Sequence, residues 1–426
     1  MSIFTSIDKN SNKTQGFWQP CTIEPSPSSK VLESLLSFKS DKSKFKVRKV
    51  ALTKTHLFKF SNYESKPKSS TMISWKKFEP FVEECGEVQI WGFRLGHLSE
   101  FEDFFVESEM ELEKWIDAIS GLAIMTDPED DYTIIQKLGK GNYSKVNLVH
   151  SFDTGNLFAM KSIKIEKGSL ECSECIINEI SILRQISNEK IIRLHKVYET
   201  SDEVHLVLEK GAWGNLSQFL SKFGSVSEFQ ASRLIKSILG GLEYFQGKNI
   251  IHRDLKLENI LINDENDLSQ IKICDFGFST MSSQDSTTFY GSPGYIAPEI
   301  LYLMPHTNKV DVFSAGIILY IMLSKKFPFN GDSIEEIMRN NKRCLIEFKE
   351  NTWRKMPDAV DLIQKMTEIN PDKRICVLEA LKHPWLYRQN KVNQFSNLGC
   401  GEKSESFKDY STGVSFANSN IQEKIQ

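Results

Sequence analysis

Two neighbouring stretches are the most informative in the chain: IIHRDLKLENILI, residues 250–262, and IKICDFG, residues 271–277. In both, apolar runs typical of β-strands bracket a short group of charged and amide side chains. Asp254, Asn259 and Asp275 are therefore predicted on adjacent loops, where oxygen ligands for Mg²⁺ and a carboxylate for an attacking hydroxyl can converge. A plain polar turn between strands does not explain so many specific residue types at these spacings.

Upstream, a glycine-rich segment lies between two strand-like runs. GKGNYSKV, residues 139–146, follows the apolar run 132–138 and leads into the run 146–149. Its glycines would let backbone amides approach phosphate oxygens, and Val146 could lie over a purine ring. Two glycines in a hairpin are more often just a turn, so this segment needs support from elsewhere in the chain.

A lysine inside an apolar strand is the next candidate. Lys161 ends the run FAMK, residues 158–161, where an ammonium without an anionic partner would be costly to bury. Glu179, at the edge of an apolar helix face, is the predicted partner. Taken singly, a surface lysine and a surface glutamate are the more common case.

Together these segments resemble the signature of the protein kinase family, in that family's order, over residues 132–386. The motifs are Gly139-x-Gly141, Ala159-Met-Lys161, Glu179, His252-Arg-Asp254, Asn259, Asp275-Phe-Gly277 and Ala297-Pro-Glu299. The resemblance implies an α+β bilobal fold, with a small β-rich N-lobe and a larger α-helical C-lobe. It also implies that Asp311 of a central helix braces the catalytic loop and that Arg374 pairs with Glu299.

The resemblance further implies ATP and Mg²⁺ as cofactors. Asp254 would orient the substrate hydroxyl and accept its proton, and Lys256 would contact the γ-phosphate. Lys161, positioned by Glu179, would hold the α- and β-phosphates, while Asn259 and Asp275 would hold the metal ion. The expected nucleotide-binding residues are Leu138, Gly139, Lys140, Gly141, Val146, Ala159, Lys161, Glu179, Glu209, Asn259 and Asp275. The rival interpretation is a scaffold protein whose kinase-like lobes only hold nucleotide.

Two residues favour serine and threonine over tyrosine as acceptors in protein substrates. Lys256 and Ser292 resemble the lysine and the small hydroxyl residue that serine/threonine kinases place beside the catalytic aspartate. Within the family, Trp353 and His383-Pro-Trp385 make the C-terminal lobe look most like the calcium/calmodulin-dependent group. The sequence shows no Asp-x-Asp-x-Asp-Gly loop of the kind that forms an EF-hand calcium site.

Regulation by phosphorylation is predicted from Arg253, which precedes the catalytic aspartate as in relatives that are switched through the activation segment, here residues 278–295. A phosphate on Thr288 would carry about −1.5 to −2 charge and could dock on Arg253. Ser286 and Thr287 compete as the site, and a solvated Ser/Thr-rich loop is the alternative.

Residues 30–122 alternate apolar and polar positions and end in a helix. Ser108 and Glu111 predict a capping box at its start, and apolar residues recur along it at i, i+3 and i+4, namely Leu112, Trp115, Ile116, Ile119 and Leu122. This front module resembles a pleckstrin-homology domain, a β-barrel or sandwich capped by a C-terminal helix. Lys46 and Arg48 resemble that family's phosphoinositide-reading pair, and residues 39–59 hold eight Lys and Arg against one acid. A phosphoinositide or another anionic membrane surface is the predicted partner. A solvated basic face or a protein-binding surface is the alternative, and docking on the kinase as an inhibitor is a further possibility.

The remaining segments and the overall composition predict the order of the domains and the location of the protein. The predicted order is a disordered lead at 1–29, the front module at 30–122, a short acidic linker at 123–131, the kinase domain at 132–386 and a flexible tail at 387–426. The formal net charge of −3 argues against a protein that coats nucleic acid. The apolar run at 315–323 is too short to span a membrane and predicts a core helix. Eight cysteines without framework spacing and the lack of an N-terminal apolar signal predict a cytoplasmic protein, recruited to membranes only peripherally.

Overall fold

The chain folds into two compact units, Met1–Ser169 with Leu194–Lys210, and Leu170–Arg193 with Gly211–Gln426. The computed structural model describes residues 17–21, 25–39, 45–61, 66–86, 88–97, 100–141, 144–165, 170–224, 226–281, 289–349 and 351–387. Within these ranges, no helix combines the length and the apolar character needed to cross a membrane.

The front module is built on an eight-stranded antiparallel sheet in the order β1-β5-β4-β3-β2-β8-β7-β6. Its strands are β1 (Gln19–Pro20), β2 (Lys30–Lys39), β3 (Phe45–Thr53), β4 (His56–Phe60), β5 (Pro67–Met72), β6 (Lys77–Cys85), β7 (Val88–His97) and β8 (Glu100–Val106), with a 3₁₀ turn at Pro27–Ser29. Side chains alternate across the strands, and the inward set, such as Leu36, Val50 and Leu52, is fully buried. Phe93 stacks on Phe104 with their ring centroids 4.8 Å apart, so aromatic packing fills this core.

Helix α1 (Glu109–Ser120) closes the sheet, as its apolar periodicity predicts. The Ser108 hydroxyl accepts the Glu111 N–H at 3.3 Å, which caps the helix. The Glu111 carboxylate, however, accepts the N–H of Glu107 instead of that of Ser108, so the predicted reciprocal capping box is only half formed. Trp115 is fully buried and donates from Nε1 to the Ser34 hydroxyl at 2.9 Å, fixing the helix on β2.

The lead segment is ordered further than predicted. Disorder was expected over residues 1–29, yet β1 pairs with β5, and Phe17 joins the core with 9% of its surface exposed. Trp18 packs edge-on against Phe38 and Phe104. Burial of these two aromatic rings offsets the entropy that the segment loses when it becomes ordered, although the composition of the segment predicts disorder.

The small-lobe sheet of the same unit has five antiparallel strands in the order β12-β13-β11-β10-β9. They are β9 (Tyr132–Lys140), β10 (Ser144–Ser151), β11 (Leu157–Lys164), β12 (Leu194–Glu199) and β13 (Glu203–Glu209), and the short helix α2 (Pro128–Asp131) precedes them. The two strands predicted around the glycine-rich segment are confirmed as β9 and β10.

The second unit is mainly helical, as predicted for the large lobe. Its helices are α3 (Leu170–Gln185), α4 (Leu216–Phe223), α5 (Glu228–Gly247), α6 (Pro298–Leu301), α7 (Lys309–Ser324), α8 (Ile334–Arg343), α9 (Asn351–Arg354), α10 (Pro357–Met366) and α11 (Val377–Ala380). The strands are β14 (Gly214–Asn215), β15 (Ile250–Ile251), β16 (Ile260–Ile262), β17 (Ile271–Ile273) and β18 (Thr280–Met281), with a 3₁₀ turn at Leu257–Asn259. Strands β14, β16 and β17 form one small sheet, and β15 pairs with β18.

Helix α7 is the centre of the large lobe. Every residue from Val310 to Ser324 is buried, so this helix is surrounded by protein on all sides. It confirms the core helix predicted for the apolar run at 315–323. Because α7 is held so rigidly, a polar side chain at its start can position the loops that carry the site.

Candidate active site

Asp311, in the first turn of α7, holds the backbone of the loop at 252–259. Its carboxylate accepts the His252 N–H at 2.8 Å and the Arg253 N–H at 2.9 Å, and only 2% of its surface is exposed. Burial raises the pKa of this carboxyl, while the two backbone donors and the charge of Arg253 act against the rise. Arg253 has a left-handed φ of 65°, which a non-glycine residue adopts only where its surroundings enforce it. The predicted brace is therefore confirmed.

His252 joins this loop to the neighbouring one. The fully buried imidazole accepts the Asp254 N–H at Nδ1, 3.3 Å away, and its Nε2 lies 3.1 Å from the Cys274 carbonyl oxygen. Because Nδ1 accepts, Nε2 carries the proton and donates it to Cys274. The Phe276 ring packs edge-on against the imidazole at 5.1 Å. This role of His252 was not predicted, although its place directly before Arg253 and Asp254 is a signal for it.

Asp254, Lys256 and Ser292 form a closed polar network. The Ser292 hydroxyl donates to Asp254 Oδ1 at 2.7 Å, and Lys256 Nζ donates to the Ser292 hydroxyl at 2.8 Å. Lys256 Nζ also lies 3.0 Å from Asp254 Oδ2. Burial disfavours the Lys256 ammonium, but the charges of Asp254 and Asp275 outweigh it, so the pKa of Lys256 lies above its ordinary value. The network thus holds one oxygen of Asp254 on a hydroxyl and the other beside a permanent cation.

Asn259 and Asp275 are brought together by the backbone. The Cys274 N–H donates to the Asn259 carbonyl at 3.0 Å, which links the two loops directly before Asp275. The Asn259 amide nitrogen donates to the Asp254 carbonyl oxygen at 2.8 Å and lies 3.3 Å from Asp254 Oδ2. The amide group therefore turns its nitrogen, and not its oxygen, toward Asp254. Asp275 has a left-handed φ of 68°. The donor set of one carboxylate and one amide oxygen fits a hard divalent cation such as Mg²⁺.

Glu179, on α3, lies close to the same loop. A methyl group placed on Gly277 would lie 3.7 Å from Asp275 Oδ1 and 3.9 Å from Glu179 Oε2, so both carboxylates flank this glycine. Glu179 is 3% exposed. Asn178 also donates to the Ser279 carbonyl, which ties α3 to the chain after Asp275. The ion pair predicted between Glu179 and Lys161 stays a prediction.

In the first unit, the small-lobe sheet places several predicted nucleotide-binding residues in one row. Val146 of β10 pairs with Gly139 of β9 on one side and with Lys161 of β11 on the other. Ala159 lies two residues before Lys161 and so on the same face of β11, and the neighbouring Phe158 pairs with Glu209 of β13. Three more of the predicted residues lie where β9 meets β10. Lys140 pairs with Lys145, and Leu138 lies at the register shift between the two strands. The Gly141 N–H donates to Ser144 O at 2.8 Å.

The start of the activation segment is fixed to the catalytic loop. Strand β18 pairs with β15, and Arg253 Nε donates to the Phe278 carbonyl at 2.7 Å. The Tyr290 ring covers the Arg253 guanidinium at 4.8 Å and stacks on Phe278 at 5.2 Å. The predicted phosphorylation sites Ser286, Thr287 and Thr288 lie outside the described residues.

The predicted pair of Arg374 and Glu299 is confirmed. Arg374 donates from Nη1 to Glu299 Oε1 at 2.6 Å and from Nη2 to Glu299 Oε2 at 2.9 Å. Both side chains are buried, at 1% and 3% exposure. A bidentate pair of this kind fixes the segment that begins α6 against the C-terminal part of the lobe.

The sequence of this chain is similar to those of known protein kinases. Residues 132–386 match the protein kinase domain family. The chain is 36% identical to the probable serine/threonine-protein kinase 2 of Plasmodium falciparum (isolate K1 / Thailand) over 256 residues. The aligned residues make up 60% of this chain and 50% of that protein. It is 38% identical over 267 residues to death-associated protein kinase 2 of Mus musculus, covering 61% and 72% respectively.

A third relative is myosin light chain kinase A of Dictyostelium discoideum, 34% identical over 277 residues that cover 64% of this chain and 94% of that protein. The chain spans about half the length of the Plasmodium relatives that it matches. The matched domain accounts for more than half of the chain and contains the whole network around Asp254. The chain belongs to the protein kinase family, and one of its relatives is named as a probable serine/threonine-protein kinase.

Proposed function

We propose that the whole protein is a serine/threonine protein kinase that transfers the γ-phosphate of Mg-ATP to protein hydroxyls. The network of Asp254, Ser292 and Lys256 carries this proposal, because it places a carboxylate oxygen and a buried ammonium side by side. In phosphoryl transfer the protein supplies mainly alignment and charge neutralisation. A carboxylate that positions the hydroxyl and a cation that neutralises the γ-phosphate are the two groups such a reaction needs.

Each residue has one task in this proposal. Asp254 orients the acceptor hydroxyl and takes its proton, while Lys256 stays charged beside it because its pKa is raised. Asn259 and Asp275 supply the oxygens that hold Mg²⁺, which on binding neutralises charge on the transferred phosphate. Lys161 holds the α- and β-phosphates, with Glu179 as its partner.

A transfer assay with labelled ATP and a generic basic protein tests the activity. We expect labelled phosphoserine and phosphothreonine from the wild-type chain, and loss of transfer in Asp275→Asn and in Lys161→Met with both variants still folded. Asp332→Asn, at an exposed position, is the matched control and should keep full activity. A folded wild-type chain that binds ATP but transfers no phosphate would instead favour the scaffold interpretation.

We also propose that a phosphate on the activation segment regulates the enzyme through Arg253. The guanidinium is largely buried, and burial lowers its pKa, so an added dianion nearby would stabilise its charge. The Tyr290 ring covers one face of the Arg253 guanidinium, so a phosphate that approaches from that face must displace Tyr290. Phosphopeptide mapping of active enzyme is expected to find a modified residue between 282 and 288, and active enzyme without any modification there would refute this switch.

For the front module we propose a pleckstrin-homology-like role as a reader of anionic lipid headgroups. Seven long antiparallel strands closed by a C-terminal helix with a buried tryptophan support the resemblance. Burial lowers the pKa of Lys59 to about 8; Glu102 opposes this shift, while the charges of Lys68 and Arg48 add to it, so these cations repel one another. A phosphoinositide headgroup would relieve that repulsion and attract the protein from the cytoplasm to a membrane.

Sedimentation with liposomes tests this role. Binding is expected to rise when phosphoinositides are added to the vesicles, and to fall in the Lys46→Ala and Arg48→Ala variants. Lys54→Ala, an exposed lysine in the turn between β3 and β4, is the matched control. Equal sedimentation with and without phosphoinositides would leave the module as a protein-binding or plainly solvated surface.

A further inference from the structure

The segment at 123–125, predicted as the start of a linker, makes two isolated β-bridges, one to each sheet of the first unit. Ile124 pairs in parallel with Lys77 of β6, and Met125 pairs in parallel with Tyr198 of β12. Four backbone hydrogen bonds hold it: Phe78 N to Ile124 O at 2.9 Å, Ile124 N to Lys76 O at 2.9 Å, Met125 N to Val197 O at 2.8 Å and Glu199 N to Met125 O at 2.9 Å. Because β6 and β12 are the last strands of their sheets, this segment covers the open edge of both.

The apolar core is continuous across this junction. Ala123 and Ile124 are fully buried, and Met125 is 7% exposed. A single cluster of buried side chains includes Phe78 and Trp115 of the front module together with small-lobe residues. The small-lobe members are Tyr132, Val149, Met160, Tyr198 and Val207. Separation of the front module from the small-lobe sheet would therefore open this core to water.

An ion pair with a buried carboxylate also joins the front module to β12. Lys77 Nζ, from the front module, lies 3.2 Å from Glu199 Oε2 of β12, and Glu199 is 2% exposed. Three residues away along the same strand, Lys196 Nζ is 2.9 Å from Asp131 Oδ2 and the Tyr198 hydroxyl donates to the same carboxylate, which ties β12 to helix α2. Loss of Lys77 would leave the Glu199 carboxylate buried without this cation.

From these contacts we infer that the front module is a permanent partner of the β12 edge and forms one cooperative folding unit with the nucleotide-binding sheet. It supports the small lobe from the β12 side and does not act as a removable inhibitory cap. An inhibitory cap has to leave a folded, active domain behind when it departs. Separation of this module from the small-lobe sheet would instead uncover two sheet edges, one continuous core and the Glu199 carboxylate.

Hydrogen exchange on the full chain tests this inference without relying on the proposed kinase activity. The reporters are the amides of Phe78, Met125 and Glu199, which donate the bonds of the junction. In the wild-type chain we expect all three to exchange together and as slowly as the central strands of the small-lobe sheet. Lys77→Met should speed the exchange of all three by about tenfold or more, since it leaves Glu199 buried without this cation.

Two further variants keep the test decisive. Glu199→Gln added to Lys77→Met removes the stranded charge and should restore most of the protection. Lys49→Met, which breaks the exposed pair with Glu33 elsewhere on the front module, should leave all three amides within about twofold of the wild type. The inference is overturned if Phe78 and Glu199 exchange independently in the wild type, or if Lys77→Met changes neither. Failure of phosphate transfer with this exchange pattern intact would refute the proposed function alone.

Discussion

Ser292 and Asp254 are joined by a hydrogen bond of 2.7 Å, from the serine hydroxyl to Asp254 Oδ1, and the same hydroxyl accepts from Lys256. Both side chains are buried, so no water can take over the bond. Ser292 is therefore predicted to hold Asp254 in the orientation that a substrate hydroxyl needs.

We expect Ser292→Ala to lower kcat by roughly ten- to a hundredfold, because Asp254 loses one positioning bond while the nucleotide-binding residues are unchanged. The KM for ATP should change little, which separates positioning from nucleotide binding. Ser201→Ala, at an exposed position of the small lobe, is the control. A Ser292→Ala enzyme with full kcat would show that the network does not set the position of Asp254.

Removal of one acceptor oxygen from Asp311 should destabilise the large lobe. Asp311→Asn keeps the shape of the side chain but offers one acceptor for two backbone N–H groups, those of His252 and Arg253. One buried donor is then unsatisfied, at a cost of about 1–3 kcal/mol. Urea denaturation of the variant, beside the exposed control Asp372→Asn, measures the change. Equal midpoints for both variants would contradict the role given to Asp311.

The buried pair of Arg374 and Glu299 predicts a non-additive result. Arg374→Met should lower the free energy of unfolding by about 3–5 kcal/mol, because Glu299 is left charged and buried. Glu299→Leu in the same chain should recover part of that loss, since no unpaired carboxylate remains. A thermodynamic cycle by chemical denaturation gives the coupling energy. Purely additive losses would mean that Arg374 acts through its backbone-carbonyl contacts alone.

Acid sensitivity is predicted from His205 on β13. Burial lowers the pKa of this imidazole below its ordinary 6.5, although the nearby Glu203 opposes the shift. The unfolded chain therefore takes up the proton more readily, so the stability that the neutral ring provides is present above pH 6.5 and is lost as the pH falls through the lower pKa of the folded state.

Thermal unfolding between about pH 7.5 and about pH 5.5 checks this prediction. The wild-type Tm should fall on the acid side of this range, and His205→Gln should show a smaller fall. His56 and His306, whose pKa values burial also lowers, explain why part of the slope should remain in the variant. An unchanged pH dependence in His205→Gln would exclude His205 as a source of it.

Local sequence signals predicted the parts of this fold that local interactions determine. The periodicity that predicted α1 and the apolar run that predicted α7 are both confirmed, as are the strands around Gly139. The spacing of Asn215 and Gln218 also contains a capping box that starts α4, a signal that was present in the sequence and was not used.

What the sequence left open depends on contacts between distant segments. Nothing in the periodicity of residues 123–125 indicates that they pair with both Lys77 and Tyr198, because edge pairing is decided by the sheets on either side. Trp18 likewise lies in a stretch whose composition predicts disorder, yet it packs on Phe38 and Phe104 from two other strands. The residues around Asp254 were predictable for a different reason, since their identities are specific to one chemistry.

Single-turnover phosphate transfer by Asp254→Asn is the sharpest test of Asp254 as the group that takes the proton, because the substitution keeps the shape of the side chain while it removes the charge and the ability to accept a proton. We predict that Mg-ATP binds with a Kd within about twofold of the wild type, while the rate of phosphate transfer to serine falls by roughly a hundredfold or more. A folded Asp254→Asn enzyme that transfers phosphate at close to the wild-type rate would contradict the role assigned to this residue and, with it, the proposed mechanism.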